Sequence, residues 1–208
     1  MQPPVAKTWA EYKAKWKVDR FFGQKIQETN SYWYHEGLDI NIDTGGNTDL
    51  GLPLYAVADG KIVYFHRYTH ALKANTYGRH LILKIDGPLW VHYAHLADED
   101  FLNRAIDVKE GDLIGRIGNS GTILSHLHFS IYKKDPVGNI DRWARSRTEL
   151  NEWWVDPAEI FERWSRPVPP SSGAITDETY IPQIGMTVRE AREIVNGFNA
   201  IKEITDRF

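Results

Sequence analysis

The chain has 208 residues, 42% hydrophobic and 25% charged, which suits one soluble domain with extras or two small ones. Its net charge of -3, with no basic stripe, excludes the electrostatic footprint of a nucleic-acid binder. It contains no cysteine, so disulfides, thiolate metal sites and a cysteine nucleophile are excluded, and any metal must be held by His, Asp or Glu.

Residues 1–30 read as a polar, aromatic-dotted lead-in with a short helix around Trp9 to Trp16. The start, "MQPPVAKTWAEYKAKWKV", has no apolar run that would form a signal-peptide core, and no stretch reaches the length of a membrane span. An export signal is therefore expected to have been trimmed, or another route to be used. From Tyr34 to about Tyr132 the hydrophobic period is two: "LDINID", "LYAVADGKIVYF", "RHLILKID" and "LWVHYAHL" alternate. The turn signals "TGGN", "ADG", "IDGP", "KEGD" and "GNSG" separate them. Short strands at close spacing, with no long helix between them, predict a mainly β, antiparallel sandwich or barrel.

Residues 141–165 have helical character with a break at Asp156-Pro157, and "SRPVPPSSGAITDET" reads as a linker. The final segment opens with a capping-box pattern at Thr187 and Glu190 and continues at helical spacing. Its apolar stripe, including Val188, Ile194, Phe198 and Ile201, is expected to cover the main domain or else a partner chain. The expected organisation is a lead-in over 1–30, a core domain over 31–165, a linker over 166–180 and a C-terminal helical segment over 181–208.

The histidines carry the chemistry. In "SHLHFSIY", strand alternation puts Leu127, Phe129 and Ile131 on one face and His126, His128 and Ser130 on the other. The apolar face is core; the imidazole pair is either a solvated face or a pair aimed at a ligand. In "HEGLD", His35 and Asp39 are four apart, but the stretch is not the helical H-E-x-x-H zinc motif. In a straight strand their Cα atoms would lie about 13 Å apart, too far for two ligands at about 2 Å from one ion. If both bind one metal, the chain bends between them, and Gly37 permits the bend. Otherwise both are loop residues, with Asp39 bonding a turn. In "WVHYAHL", parity separates His92 from His95, so a regular strand cannot aim both at one centre; His95 is expected to face the groove and His92 to face away. His66, His70 and His80 lack partners at ligand spacing and read as surface or structural residues.

Taken in order, "HEGLDI", "GLPLYAVADGKIVYF", "WVHYAHLAD", "VKEGDLIGRIGNSGT" and "HLHFSIY" resemble the lysostaphin-type (LytM-like) zinc metallopeptidases, the endopeptidases of bacterial peptidoglycan. The resemblance covers roughly residues 35–132, and "VDPAEIF" is similar to the family's closing segment. It implies an antiparallel β barrel-sandwich of the duplicated-hybrid-motif type, with short peripheral helices and a C-terminal helix. By position it assigns His35, Asp39 and His128 as ligands of Zn2+, and His95 and His126 as catalytic histidines. A tyrosine shortly before the first ligand supports the oxyanion in this family, and Tyr32 and Tyr34 both lie there. Two departures stand out: "TILS" is shorter than the usual loop before "HLH", and "HRYTHALKANTYGRH" is longer than the usual connection.

Three protein ligands leave a fourth position for water, as in a catalytic zinc site. With no motif-placed glutamate, proton handling falls to His95 and His126. The expected substrate is a peptidoglycan peptide, with a glycine bridge and a D-alanyl–diaminopimelate cross-link both open, and the expected place of action is the cell wall or periplasm, or delivery by a phage. Some family members have lost ligands and act as scaffolds or activators of other wall enzymes, but here all five positions are filled. Lipoyl- and biotinyl-carrier domains share the "VADGKIVYF" pattern, but no lysine at a hairpin tip supports that reading. A cupin-like H-x-H site would need a glutamate shortly after His128, and none follows at that distance.

Overall fold

The computed structural model describes residues 1–27, 31–66, 76–97, 107–140 and 142–165, and the backbone of 180–181 and 186–187. The elements are α1 (Trp9–Lys15), β1 (Trp16–Arg20), β2 (Lys25–Gln27), β3 (Tyr32–Tyr34), β4 (Gly37–Ile42), β5 (Pro53–Tyr55) and β6 (Gly60–His66). They continue with β7 (His80–Ile85), β8 (Trp90–Ala94), β9 (Asp107–Val108), β10 (Leu113–Arg116) and β11 (Leu127–Tyr132). Last come α2 (Arg147–Trp153), β12 (Trp154–Val155), α3 (Pro157–Trp164), β13 (Tyr180–Ile181) and β14 (Met186–Thr187).

The large sheet runs β1-β4-β11-β8-β7-β6-β9, with β12 added to the end of β11, and β5 pairs with β10 in a smaller sheet. All these pairs are antiparallel. The mainly β, antiparallel expectation holds; the described strands form open sheets and no closed barrel.

The pairing register sorts side chains onto two faces. Leu127, Phe129 and Ile131 of β11 stand opposite Ile40, Leu38, Tyr93 and Val91 on the flanking strands, and all seven are buried. Fully burying one such side chain stabilises the fold by about 1.5–3 kcal/mol. The Tyr93 hydroxyl donates to the Tyr55 carbonyl at 3.1 Å and accepts from Val57 N–H at 3.1 Å, which ties the large sheet to the β5 strand. Phe161 of α3 packs on Phe129 at 5.2 Å and on Trp9 of α1 at 5.3 Å.

The opposite face is divided. At one end Ile82, Tyr132, Ile140, Ala144, Leu150 and Trp154 form a second apolar cluster. At the other end lie Asp39, His92, His128 and Ser130, all buried.

The three helices among the described residues are short and begin on side-chain caps. Thr8 Oγ1 accepts from Glu11 N–H, Ser146 Oγ from Glu149 N–H, and Asp156 Oδ1 from Ala158 N–H. The break expected at Asp156-Pro157 separates α2 from α3, with β12 between them. None of the described helices is long and apolar enough to cross a membrane.

The lead-in is built into the domain. β1 pairs with β4, Gly23 N–H donates to the His35 carbonyl at 2.7 Å, and His35 N–H donates to the Gln24 carbonyl at 2.9 Å. The chain divides into two compact units, Met1–Phe161 and Glu162–Phe208. In the second, β13 pairs with β14 through Tyr180 opposite Thr187 and Ile181 opposite Met186. The expected helix after Thr187, with its stripe, lies outside the described residues, as does His70.

A chain ending after Trp164 keeps the Phe161 contacts with Phe129 and Trp9. It should melt in a single cooperative transition followed by circular dichroism. An unfolded or insoluble product would show that the second unit is required for the first.

Candidate metal centre and active site

Asp39 and His128 stand directly opposite each other in the β4–β11 ladder, so their side chains share a face and approach closely. His35 lies two residues before β4 begins, outside the regular strand. Its Nε2 reaches Asp39 Oδ1 at 2.9 Å. Gly37 makes this possible by close approach rather than by an unusual dihedral. Its φ is not positive, and a Cβ there would sit 2.4 Å from the Phe129 carbonyl oxygen and 2.9 Å from Ser130 Cβ.

Three candidate ligand atoms converge. His35 Nε2 and His128 Nδ1 lie 3.0 Å apart, and each faces Asp39 Oδ1, at 2.9 and 3.1 Å. Atoms held tetrahedrally at about 2.0–2.1 Å from a zinc ion are separated by about 3.3 Å, so the triangle fits such an ion with small adjustment. All three residues are buried. His35 Nδ1 donates to the Phe21 carbonyl at 3.2 Å, leaving the Nε2 lone pair directed inward. Burial lowers the His128 imidazole to about 4, so it is neutral at pH 7 and able to ligate. Burial pushes the Asp39 carboxyl up, but the facing His35 and His128 outweigh it and hold it well below its ordinary value. Two imidazoles and one carboxylate form a donor set suited to a divalent cation.

His95 and His126 stand beside this triangle, with ring centroids 4.6 Å apart, and His95 is 6.0 Å from His128. Each donates from Nδ1 to a backbone carbonyl of one loop, His95 to Ser120 at 2.8 Å and His126 to Leu124 at 3.0 Å. His126 Nε2 is thereby turned toward Asp39, whose Oδ1 lies at 3.6 Å. Burial, then neighbouring His126 and His128, hold the His95 imidazole well below its usual range, so it stays neutral. The loop is itself held. Ser125 N–H donates to Asn47 Oδ1 at 2.7 Å, and the Ser125 hydroxyl donates to the buried Asp49 carboxylate.

Three expectations require correction. Strand parity predicts His95 toward the groove and His92 away from it. The register gives the reverse: Ser130 faces His92, and Phe129 faces Tyr93, so His92 lies on the His128 face. His95 would follow Tyr93 into the core if the strand continued. It reaches the groove because β8 ends at Ala94 and His95 adopts φ 64°, the one non-glycine positive φ among the described residues. Its N–H is satisfied by the Tyr77 carbonyl at 3.0 Å. Such a conformation is costly for a non-glycine residue and clusters at functional sites.

The oxyanion candidates Tyr32 and Tyr34 do not line the groove. Alternation along β3 sends Trp33 there instead, while Tyr32 lies under Lys25 and Tyr34 under Arg147. Gly37 serves as an approach residue, as described above, rather than as a hinge.

Other residues at the site had no sequence signal. Tyr77 stacks on Trp143 at 4.9 Å and donates its hydroxyl to the buried Glu36, whose carboxyl burial raises to about 7. Arg20 reaches Asp39 from β1. His66 and His80, read as surface or structural, are stacked at 5.1 Å, and His80 is buried.

Ala at position 37 would force β4 away from β11. Gly37→Ala should lose about 1–3 kcal/mol of stability, and zinc binding with it, in a denaturant melt and a metal assay. His80 offers a pH test. Burial, then the His66 charge, lower its imidazole from 6.5 to about 3. Between those values the unfolded chain binds more protons than the folded one, so stability falls as pH falls, by up to about 1.4 kcal/mol per pH unit. His80→Phe should remove this contribution, so its melting temperature should gain on the wild type from pH 7 to pH 4. A constant offset would mean that His80 is charged in the fold.

The family model for Peptidase family M23 matches residues 33–140. The murein hydrolase activator NlpD of Salmonella typhimurium is 33% identical over 133 residues, covering 64% of this chain and 32% of that protein. The peptidoglycan DD-endopeptidase ShyB of Vibrio cholerae is 28% identical over 98 residues, covering 47% and 20%. The chain thus spans about a third or less of these relatives' lengths. A chain of the SpoIIIAH–SpoIIQ complex superposes with a TM-score of 0.52 at 16% identity, covering 77% of this chain and 98% of that one, and so shares the fold. With the model match spanning half of its length, the chain belongs to Peptidase family M23.

Proposed function

We propose that this chain is a zinc-dependent endopeptidase that hydrolyses peptide bonds in bacterial peptidoglycan, acting at the wall or in the periplasm. The observation that carries this reading is the convergence of His35, Asp39 and His128 beside two imidazoles, each oriented by a hydrogen bond from Nδ1 to a backbone carbonyl. Zinc bound there would supply Lewis-acid activation of a water and of the scissile carbonyl.

The chain's own residues would do the rest. Asp39, the anionic member of the ligand set, offsets part of the ion's charge, and its Oδ1 lies 3.6 Å from His126 Nε2. His95 enters the reaction neutral, held so by burial and by the neighbouring His126 and His128. One of His95 and His126 would accept a proton of the attacking water at Nε2 and return it to the leaving amine; the other, already protonated at Nε2 from solvent, would donate that N–H to the oxyanion and keep the proton throughout. Trp33, Tyr77 and Trp143 form an aromatic wall that excludes water from one side of the groove.

A second reading is an activator of other wall hydrolases, favoured by the likeness to NlpD. A partner chain held through the segment after residue 187 would belong to either reading. The complete set of five histidine and aspartate positions supports the hydrolytic one.

The variants separate these readings. His95→Ala and His126→Ala should keep one zinc per chain and lose about 10²–10⁴-fold in wall-lysis rate. Asp39→Ala and His128→Ala should lose the metal. His92→Ala should keep metal and most activity, with some loss of stability from an emptied buried position. Zinc stoichiometry and turbidity loss of purified walls are the measurements. A zinc-loaded wild type that leaves walls intact but stimulates an added wall amidase would establish the activator reading.

A further inference from the structure

Resting on the hydrolytic reading, we propose that Arg20 is a specificity-determining residue that selects peptides with a free carboxylate on a residue flanking the scissile bond. The β1–β4 register jumps between Val18 and Arg20: Val18 faces Ile40, and Arg20 faces Asp39. This bulge at Asp19 re-aims Arg20 onto the face that carries the site, a recurrent use of bulges beside active sites. Arg20 Nη1 lies 3.2 Å from Asp39 Oδ2, the oxygen left over after Oδ1 has faced His35 and His128. Arg20 lies outside residues 33–140, the stretch that the family model covers.

Two features show that Arg20 does more than neutralise Asp39. With a divalent ion in place, one carboxylate is already outweighed, and the guanidinium adds positive charge where none is needed. The nearby Asp19 does not balance it, because Asp19 Oδ1 is 3.5 Å from Lys17 Nζ. Second, the Arg20 side chain is 46% exposed against 7% for Asp39, and Asp39 is its sole ion-pair partner among the described residues. Arg20 lines the groove, which continues past Asn41 along Thr122, Ile123 and Leu124 and also includes Asp19. Arg20 is the one cation lining either stretch of this groove among the described residues. A guanidinium with free donors beside a cation-loaded site recognises a carboxylate. Of the two peptidoglycan bonds left open by the sequence, the D-alanyl–diaminopimelate cross-link carries such a carboxyl next to the scissile nitrogen, and a glycine bridge does not.

The test uses the full-length, zinc-loaded chain and two synthetic D-alanyl–diaminopimelate peptides, identical except that the flanking carboxyl is free in one and amidated in the other. Both kcat/KM and the dissociation constant measured by calorimetry are read, with zinc stoichiometry as a control. The wild type should favour the free carboxylate about tenfold, the lower end expected for a charged hydrogen bond at a half-exposed site. Arg20→Gln should bring that ratio to about one while keeping one zinc per chain, and Arg20→Lys should give an intermediate ratio. Equal losses on both peptides with an unchanged ratio, or no preference in the wild type, would overturn the proposal and leave Arg20 as a group that orients Asp39. If neither peptide is cleaved but the binding ratio persists, the hydrolytic reading fails and the recognition stands. If both are cleaved equally well, only the recognition fails.

Discussion

The site depends on one pairing, the antiparallel register of β4 against β11. It sets Asp39 opposite His128 and, on the other face, Leu38 opposite Phe129 and Ile40 opposite Leu127. Side chains alternate along a strand, so a slip of one residue would send Asp39 into the core and Leu38 into the groove. The apolar face therefore fixes the polar one: burying Leu38, Ile40, Leu127 and Phe129 selects the register that assembles the ligands. Gly37 supplies the remaining condition. Without a Cβ it lies against the Phe129 carbonyl, and His35 folds back over the strand that carries Asp39.

The arrangement comes at a cost in buried polarity. Among the described residues, the Nε2 atoms of His92 and His128 are buried without a hydrogen-bond partner. Each unpaired buried polar group costs about 1–3 kcal/mol. Burial keeps these rings neutral. Neutrality avoids the far larger cost of burying charge, and it is also the state that ligates metal. An ion bound only by the folded chain would return stability by mass action. Metal binding and folding are thus expected to support each other here.

Much of this was legible in the sequence. Alternation in "HLHFSIY" separates the ligand face from the core face without any structure, and "HEGLD" supplies the other two converging residues. The failures have distinct physical causes. Parity counting through "WVHYAHL" assumes a strand that runs to His95, whereas β8 stops at Ala94 and a positive φ turns His95 around. The family resemblance points to Tyr32 and Tyr34, but both lie on the wrong side of β3, and the aromatic side chains at the site are Trp33, Tyr77 and Trp143. Tyr77 and Trp143 are far from the motifs in sequence and reach the groove only through tertiary packing. Arg20 could not be placed either, because a bulge changes the face on which a residue lies.

The loop before β11 has two tasks that constrain each other. Its backbone carbonyls at Ser120 and Leu124 fix the tautomers of His95 and His126. Its side chains at Ile123 and Leu124, both exposed, border the groove beside Arg20. A change in loop length that reshaped the groove would also move the carbonyls that orient the two imidazoles. The Asn47 and Asp49 side chains limit this coupling by anchoring Ser125, the residue joining the loop to His126. Variation in the groove wall is then compatible with a fixed pair of imidazoles only ahead of that anchor. This accounts physically for a loop that departs from the family's usual form at "TILS" while His126 and His128 keep their places on the strand that follows.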